Sequence, residues 1–431
     1  MGYVAIKGGG RAINAAAAVT EYLRTEESLT NASAQPLEID AILHQLRHLV
    51  DRVVSEGGVY HPGFAALAIK QSLGDTLEAA FALRAWRSTR PRLTATPPLD
   101  TSNMRMIRRI SSAFKEIPGG QMLGPTSDYA LRLLRLELLD ESPEAFRSVA
   151  RQWLQGCPES QLPDTFPKVL DALRDEGLLP PVCTSRNAEP FDVTREPLVF
   201  PLPRSAALAT LARAETGSLL AIAYSNMRGY GDIHPTVAEL RVGYVPVLLP
   251  HPVSGELTEI GEVLMTECEV VAMYEEQGSS SVAGGTTPRT EEVEQRREQL
   301  PTTPGATEEQ DAQVPRAQGA EDVEIDTGGG KPLFTIGYGA CFGHNEVKAI
   351  SMAILDRALQ KGMRDGPTNP SEDPEYVLLH VDGVDSMGFA SHYKMPHYVT
   401  FQSDMDRLRT TQKKKQKKTQ KNTQMKKESP V

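Results

Sequence analysis

Cysteine is scarce in this chain of 431 residues, and its spacing excludes the common cysteine-based sites. Four cysteines are present, and the two nearest in sequence, Cys157 and Cys183, lie 26 residues apart. Iron–sulfur clusters and cysteine-based zinc sites draw their ligands from closely spaced cysteine pairs. We therefore expect no iron–sulfur cluster on this chain and four reduced thiols, as is usual in the cytoplasm.

Long apolar runs are also missing. No stretch approaches the roughly 18 uninterrupted apolar residues that a membrane-spanning helix needs. Near the N-terminus, Lys7 and Arg11 lie among glycines, and the apolar run at residues 15–19 is too short for a signal peptide. The sequence predicts a cytoplasmic protein with no membrane partner.

Charge is distributed unevenly along the chain, whose net charge is -10. Residues 277–330 hold eleven acidic residues and four arginines, a net of -7, whereas residues 413–431 hold eight lysines and one glutamate, a net of +7. These two segments cancel, so the remainder carries the whole net charge. A broadly basic surface is excluded, and nucleic acid is not an expected partner.

The pattern of apolar residues predicts an α+β protein. We expect a helical N-terminal part and a mixed α/β C-terminal part with a small sheet. The predicted segments are a mainly helical domain at 1–140, an irregular Pro-rich connection at 141–200, a mixed α/β domain at 201–276 and 331–411, a disordered acidic insertion at 277–330, and a disordered Lys-rich tail at 412–431.

Individual elements follow from periodicity and capping residues. An apolar stripe from Ile39 to Val53 predicts a helix ended by Gly57 and Gly58, and Asp75 and Ser205 are expected N-caps. Further helices are predicted at 103–114, 128–139, 145–155, 168–175 and 345–359, and strands at 219–224, 239–247, 263–273, 376–381 and 398–401.

A glycine-rich stretch at residues 118–125 follows two arginines and a lysine. Glycines allow the backbone to approach an anion, and the basic side chains suit a polyphosphate. The alternative is an ordinary glycine turn. The candidate phosphate-binding residues are Arg108, Arg109, Lys115, Gly119, Gly120 and Gly124.

Two further stretches offer catalytic side chains. In the loop at 228–235, Asp232 could stabilise a cationic transition state and His234 could transfer protons, unless Asp232 only closes a turn. In the strand at 263–273, Glu267 and Glu269 are predicted to point to one face and Cys268 to the other. The paired carboxylates are catalytic candidates, and the alternative is a solvent-facing polar edge.

Histidines cluster near the C-terminus. His392 and His397 flank Pro396, which argues against a helix there, and two imidazoles are half of a plausible metal site. The alternative is two unrelated surface histidines. His44 and His48 also have metal-like spacing, but they flank an apolar helix stripe and are expected to be solvated.

Taken in order, many short blocks resemble one family, subunit I of the bacterial carbon–phosphorus lyase core complex. The resemblance covers roughly residues 3–140, 195–275 and 333–405, whereas 141–190 match poorly. The matching blocks are 4–9, 51–58, 98–101, 108–111, 117–121, 123–126, 228–231, 264–269, 337–339, 356–359, 391–392 and 396–398.

The resemblance implies a reaction at the bond between base and ribose. Members of the family remove the base from ATP or GTP. With partner subunits of the complex they displace adenine with an alkylphosphonate, giving ribose 1-alkylphosphonate 5-triphosphate. The resemblance also implies Mg²⁺ with the nucleotide and zinc at a subunit interface on His392 and His397. A scaffold subunit whose partners hold the active site is the alternative.

Overall fold

The computed structural model confirms the α+β class, with helices packed around a four-stranded antiparallel sheet. The structure describes residues 10–126, 132–156, 166–181, 190–230, 234–276, 332–393 and 398–427. None of the helices in these ranges has the length and apolar character needed to cross a membrane.

The regular elements are numbered here in chain order. The helices are α1 (Gly10–Thr25), α2 (Ile39–Gln45), α3 (Arg47–Gly57), α4 (Pro62–Gln71), α5 (Thr76–Ser88), α6 (Pro143–Gly156), α7 (Val169–Asp175), α8 (Arg204–Arg213), α9 (Thr216–Ser225), α10 (Glu346–Asp365), α11 (Pro374–His380), α12 (Gly383–Tyr393) and α13 (Tyr398–Lys427). The strands are β1 (Arg105–Ile110), β2 (Thr236–Pro250), β3 (Leu257–Glu276) and β4 (Pro332–Phe342).

Helices α2 to α5 form one apolar cluster, and the predicted capping residues set two of their ends. The expected helix breaks at Leu46 into α2 and α3, and α3 ends where Gly58 adopts a left-handed conformation with φ of 61°. Asp75 caps α5, since its carboxylate accepts hydrogen bonds from the backbone N–H groups of Leu77 and Glu78. Local chemistry therefore sets these boundaries.

The sheet has the order β1-β2-β3-β4, with every neighbouring pair antiparallel. The predicted strands at 239–247 and 263–273 are confirmed within β2 and β3. One face of the sheet packs on α10, and Leu240 and Cys268 are buried there. Adjacent residues in a strand point to opposite faces, so Glu267 and Glu269 lie on the other face, as predicted.

Helix α10 approaches the sheet closely because β4 carries glycines on that face. A Cβ atom at Gly337 would lie 2.0 Å from the carbonyl oxygen of Ala353, and one at Gly339 would lie 2.2 Å from that of Ala349. The predicted helix at 345–359 is confirmed, and Asn345 caps it by accepting from the Lys348 N–H at 3.1 Å.

The predicted helix at 103–114 is wrong, because these residues form β1 and the loop after it. Buried Met106 and Arg108 alternate with more exposed residues at the start of the strand, and β1 pairs with β2. Pairing with β2 therefore outweighs the helical spacing of the apolar residues in this segment. Of the predicted helix at 128–139, the described residues form only a 3₁₀ turn over Leu136–Asp140.

Three predicted strands, at 219–224, 376–381 and 398–401, are wrong because the chain is helical there. They lie in α9, α11 and α13. Short apolar runs do not distinguish a buried helix from a buried strand. N-terminal caps favour the helix in two of these segments, because the carboxylates of Glu215 and Asp373 accept from the first backbone N–H groups of α9 and α11.

The end of the Pro-rich connection that contains α7 packs against the sheet. The two short helices predicted in the connection are confirmed as α6 and α7, and Leu170 and Leu173 of α7 pack beside Ala238 of β2. Since β1 also joins the sheet, residue 140 is not a packing boundary. Ser205 does not cap α8, because Pro203 is the N-cap and the Ser205 hydroxyl accepts from the Phe191 N–H at 3.4 Å.

The predicted C-terminal tail is helical rather than disordered as far as Lys427, since α13 continues through it. Lysine and glutamine are good helix formers, and the segment has no glycine or proline before Pro430. The predicted acidic insertion at 277–330 lies outside the described residues.

Candidate functional site

Charged side chains concentrate on the face of the sheet that does not contact α10. The register places Arg109 opposite Arg241, Arg241 opposite Glu267, and Glu269 opposite Tyr338. Directly opposed residues in antiparallel strands share a face. The cluster, called here the sheet-face cluster, consists of Arg109, Glu239, Arg241, Glu267, Glu269 and Tyr338, together with Thr101 and Lys168 from outside the sheet.

Glu267 is at the centre of the sheet-face cluster. Its Oε1 accepts from the Thr101 hydroxyl at 2.9 Å, from the Lys168 ammonium at 3.1 Å and from the Tyr338 hydroxyl at 2.9 Å. Its Oε2 accepts from Arg241. Burial raises the pKa of Glu267, but Arg241 and Lys168 lower it by more, and the net shift is downward. Glu267 therefore remains in its ionised carboxylate form.

Glu269 lies on the same face, two residues along β3, in a different environment. Its Oε1 is 3.9 Å from the Lys168 ammonium, and its Oε2 is buried with no hydrogen-bond partner among the described residues. Burial raises the pKa of Glu269 to about 7, against the lowering effect of Lys168. Glu269 therefore exchanges its proton near neutral pH.

The two carboxylates have pKa values that move in opposite directions, which is the usual arrangement of an acid–base pair. Glu267 supplies fixed negative charge, and Glu269 can donate or accept a proton. Burial and the adjacent Glu267 carboxylate raise the pKa of Tyr338, so its hydroxyl stays protonated and donates to Glu267. The arrangement suits stabilisation of a positive charge together with proton transfer to a leaving group.

A buried ion pair within the sheet-face cluster positions the backbone next to Lys168. Arg109 and Glu239, which are 0% and 1% exposed, have their Nε and Oε1 atoms 2.6 Å apart. Arg109 also donates to the carbonyl oxygen of Pro167 at 2.7 Å, and Glu239 accepts from the Val169 N–H at 3.0 Å. The pair therefore holds the backbone on both sides of Lys168.

The structure does not bring the predicted phosphate ligands Arg108 and Arg109 together. Adjacent residues of a strand point to opposite faces, so Arg108 pairs with Glu346 of α10, whereas Arg109 joins the sheet-face cluster. Arg109 donates to the carbonyl oxygens of Pro118 and Gly120 at 2.5 and 3.0 Å. The loop therefore presents carbonyl oxygens, not N–H groups, to this arginine.

The glycines of the predicted phosphate loop have a packing explanation. Gly119, Gly120 and Gly124 all have positive φ values. A Cβ atom at Gly124 would lie 2.4 Å from the carbonyl oxygen of Ile107, and so the glycine allows the loop to lie against β1. Lys115 is exposed. Phosphate binding by these residues stays a prediction.

The remaining predicted site residues are Asp232, His234, His392 and His397. His234 is exposed just before β2, and Asp232 lies outside the described residues. His392 is in the last turn of α12, and His397 lies outside the described residues. In the described part of the chain, no three His, Cys, Asp or Glu side chains are grouped as a metal site.

The structure also describes the histidines of the N-terminal helices and two of the cysteines. His44 and His48 are exposed as predicted, but the His48 ring also contacts His344, with ring centroids 5.0 Å apart. Cys268 and Cys341 are free thiols, as predicted, and both are buried. Burial raises the pKa of the Cys341 thiol to about 11, so it is not a nucleophile near neutral pH.

Comparison with known proteins agrees with the predicted resemblance. The family model described as bacterial phosphonate metabolism protein (PhnI) matches residues 2–285 and 301–415. The chain belongs to the PhnI family. A C-P lyase subunit protein of Stutzerimonas stutzeri, HtxH, is 67% identical to it over 414 residues, which cover 96% of this chain and 97% of the relative.

Two further relatives carry the name alpha-D-ribose 1-methylphosphonate 5-triphosphate synthase subunit PhnI. The protein of Escherichia coli strain K12 is 39% identical over 413 residues, which cover 95% of this PhnI-family chain and 98% of the relative. The protein of Rhizobium meliloti strain 1021 is 37% identical over 410 residues, which cover 94% of each chain.

Several residues of the sheet-face cluster were not singled out as site residues in this PhnI-family sequence. Thr101 and Tyr338 lie in blocks that carry the family resemblance, and charged Glu239 and Arg241 alternate with apolar residues in a strand that is otherwise buried. Both features are signals that sequence reasoning could have used. Lys168 had no such signal, because it lies in the poorly matching segment 141–190.

Proposed function

We propose that this chain is a subunit of the complex that forms alpha-D-ribose 1-methylphosphonate 5-triphosphate, and that it acts on the glycosidic bond of ATP or GTP. Membership of the PhnI family and the names of its relatives support the complex. The sheet-face cluster supports the chemistry, because Glu267 and Glu269 offer a fixed negative charge beside a proton donor.

In the proposed reaction, the bond between ribose C1 and the base nitrogen breaks as positive charge develops on the sugar. Glu267 stabilises that charge as a carboxylate, and protonated Glu269 donates its proton to the leaving base. A phosphonate oxygen then forms the new bond to C1. When the base is simply removed, water forms that bond and gives its proton to the Glu269 carboxylate. Mg²⁺ accompanies the triphosphate, and the candidate triphosphate ligands are Lys115 and the loop at 118–125.

The observation that carries the proposal is the placement of two buried carboxylates on one strand face in unlike surroundings. Glu267 accepts from Arg241 and Lys168, whereas Glu269 has a buried oxygen without a hydrogen-bond partner among the described residues, and their pKa values move apart accordingly. The test incubates the purified chain, alone and with its partner subunits, with ATP or GTP and measures free base by chromatography. We expect base release by the wild-type protein and loss of at least about 100-fold in Glu269→Gln, since general acid catalysis contributes about that factor. No base under either condition would refute the proposal.

A scaffold role is the second candidate. It is favoured by the near-complete burial of Glu267 and Arg241, which are each 1% exposed and are paired with each other across two neighbouring strands. Substituting Asp232, His234, Glu267 and Glu269 one at a time discriminates the two. Base release that survives all four substitutions, while assembly still requires the chain, would favour the scaffold.

A further inference from the structure

Lys168 is the side chain that reaches both carboxylates of the sheet-face cluster. Its ammonium nitrogen lies 3.1 Å from Oε1 of Glu267 and 3.9 Å from Oε1 of Glu269. The side chain is 21% exposed, whereas the two carboxylates are almost completely buried. Lys168 therefore stands between the cluster and the solvent.

The position of Lys168 is determined by its neighbours in sequence. The Pro167 carbonyl oxygen accepts from Arg109, and the Val169 N–H donates to Glu239. Arg109 and Glu239 are themselves paired and buried, so neither contact is free to shift with solvent. The ion pair therefore holds the backbone of Pro167 and Val169, and this limits the positions that the Lys168 side chain can reach.

We infer that Lys168 is a positioning residue whose ammonium group, held by the Arg109–Glu239 pair, decides how Glu267 and Glu269 divide between ionised and protonated forms. The charged and titratable groups around Glu269 are Glu267 on its own strand, Glu239 and Arg241 on β2, Tyr338 on β4, and Lys168. Of the two cations, only Lys168 is within 4 Å of a Glu269 oxygen in the described ion pairs.

The consequence is electrostatic. A positive charge a few ångströms from a carboxylate lowers its pKa by roughly one to three units. Lys168 therefore adds to the effect of Arg241 in keeping Glu267 ionised, and it lowers the pKa of Glu269, which is about 7 and which burial alone would place higher. Its catalytic consequence rests on the proposed function, but its effect on Glu269 is a property of the folded chain without substrate.

The test follows the protonated carboxyl band of Glu269 by difference infrared spectroscopy of the full-length chain, with the band assigned by its loss in Glu269→Gln. Wild-type protein is expected to lose the band with a midpoint near pH 7. Lys168→Met and Lys168→Gln remove the charge, and the midpoint is expected to rise by about one pH unit or more. Lys168→Arg keeps the charge and is expected to keep the wild-type midpoint. Lys70→Met, which removes a lysine charge in α4, is the matched control.

Several results would overturn the inference. One is a midpoint in folded Lys168→Met and Lys168→Gln that equals the wild-type value. Another is failure of both neutral variants to fold, checked by circular dichroism, since Lys168 would then have a structural role. Base release measured on the same variants keeps the two proposals separate. A shifted infrared midpoint without any base release refutes the proposed function alone, whereas base release with an unshifted midpoint refutes the role of Lys168 alone.

Discussion

Arg109 of β1 and Glu239 of β2 form a buried ion pair that fastens two separate segments of the chain to the sheet. Arg109 holds the carbonyl oxygens of Pro118 and Gly120 in the glycine loop, and with Glu239 it holds the backbone at the start of α7. The pair therefore organises the surroundings of the candidate site without contacting the solvent.

Breaking this pair is expected to destabilise the protein strongly. Glu239→Gln or Arg109→Met alone leaves a buried charge without its counterpart, and we expect a loss of about 3–5 kcal/mol in the free energy of unfolding. The double variant should lose less than the sum of the two, because no unpaired charge remains. Urea unfolding of the four proteins measures this coupling, and additive losses would contradict it.

The stability of the chain should carry a pH signature from Glu269. Its pKa rises from 4.5 to about 7 on folding, so its stabilising contribution is fully present below pH 4.5 and is lost as the pH rises through 7. At about 1.4 kcal/mol per unit, the change is roughly 3 kcal/mol. Glu269→Gln should remove it. The difference in unfolding free energy between wild type and variant, measured from pH 4.5 to 8, should fall across that window, and a flat difference would exclude the raised pKa.

The contact between β4 and α10 should not tolerate a side chain. Gly339→Ala places a Cβ atom 2.2 Å from the carbonyl oxygen of Ala349, and we expect a loss of about 3 kcal/mol or more. The control is Gly388→Ala in α12, where a Cβ atom meets nothing within 4 Å. That change should stabilise the helix by about 0.5–1 kcal/mol. Thermal unfolding of both variants tests the prediction. A melting temperature of Gly339→Ala equal to that of the wild type would contradict it.

The zinc site at a subunit interface that the family resemblance implies for His392 and His397 stays a prediction. Imidazole nitrogens are common zinc ligands, and a third ligand from another chain would complete the site. Metal analysis of the assembled complex should therefore find zinc that is lost in His392→Ala and retained in His44→Ala, which changes an exposed histidine in α2. Equal zinc in both variants would remove His392 from the site.

Much of the local structure followed from sequence patterns. The predicted face of Glu267 and Glu269, the Asp75 cap and the helix predicted at 345–359 are all confirmed, because each depends on residues within a few positions. The errors occurred where distant partners decide. Residues 105–110 are a strand because β2 lies beside them, and residues 219–224 are helical although their apolar run is compatible with either structure.

The sequence by itself determined the family and placed Glu267 and Glu269 on one face of a strand. Only the tertiary structure decided what those carboxylates are. The charge of a side chain depends on burial and on nearby charges, and here these come from Lys168, 99 positions before Glu267, and from Arg241 on the neighbouring strand. Separation along the chain has no fixed relation to separation in space, so one carboxylate stays ionised and the other titrates near neutral pH for reasons that no local pattern contains.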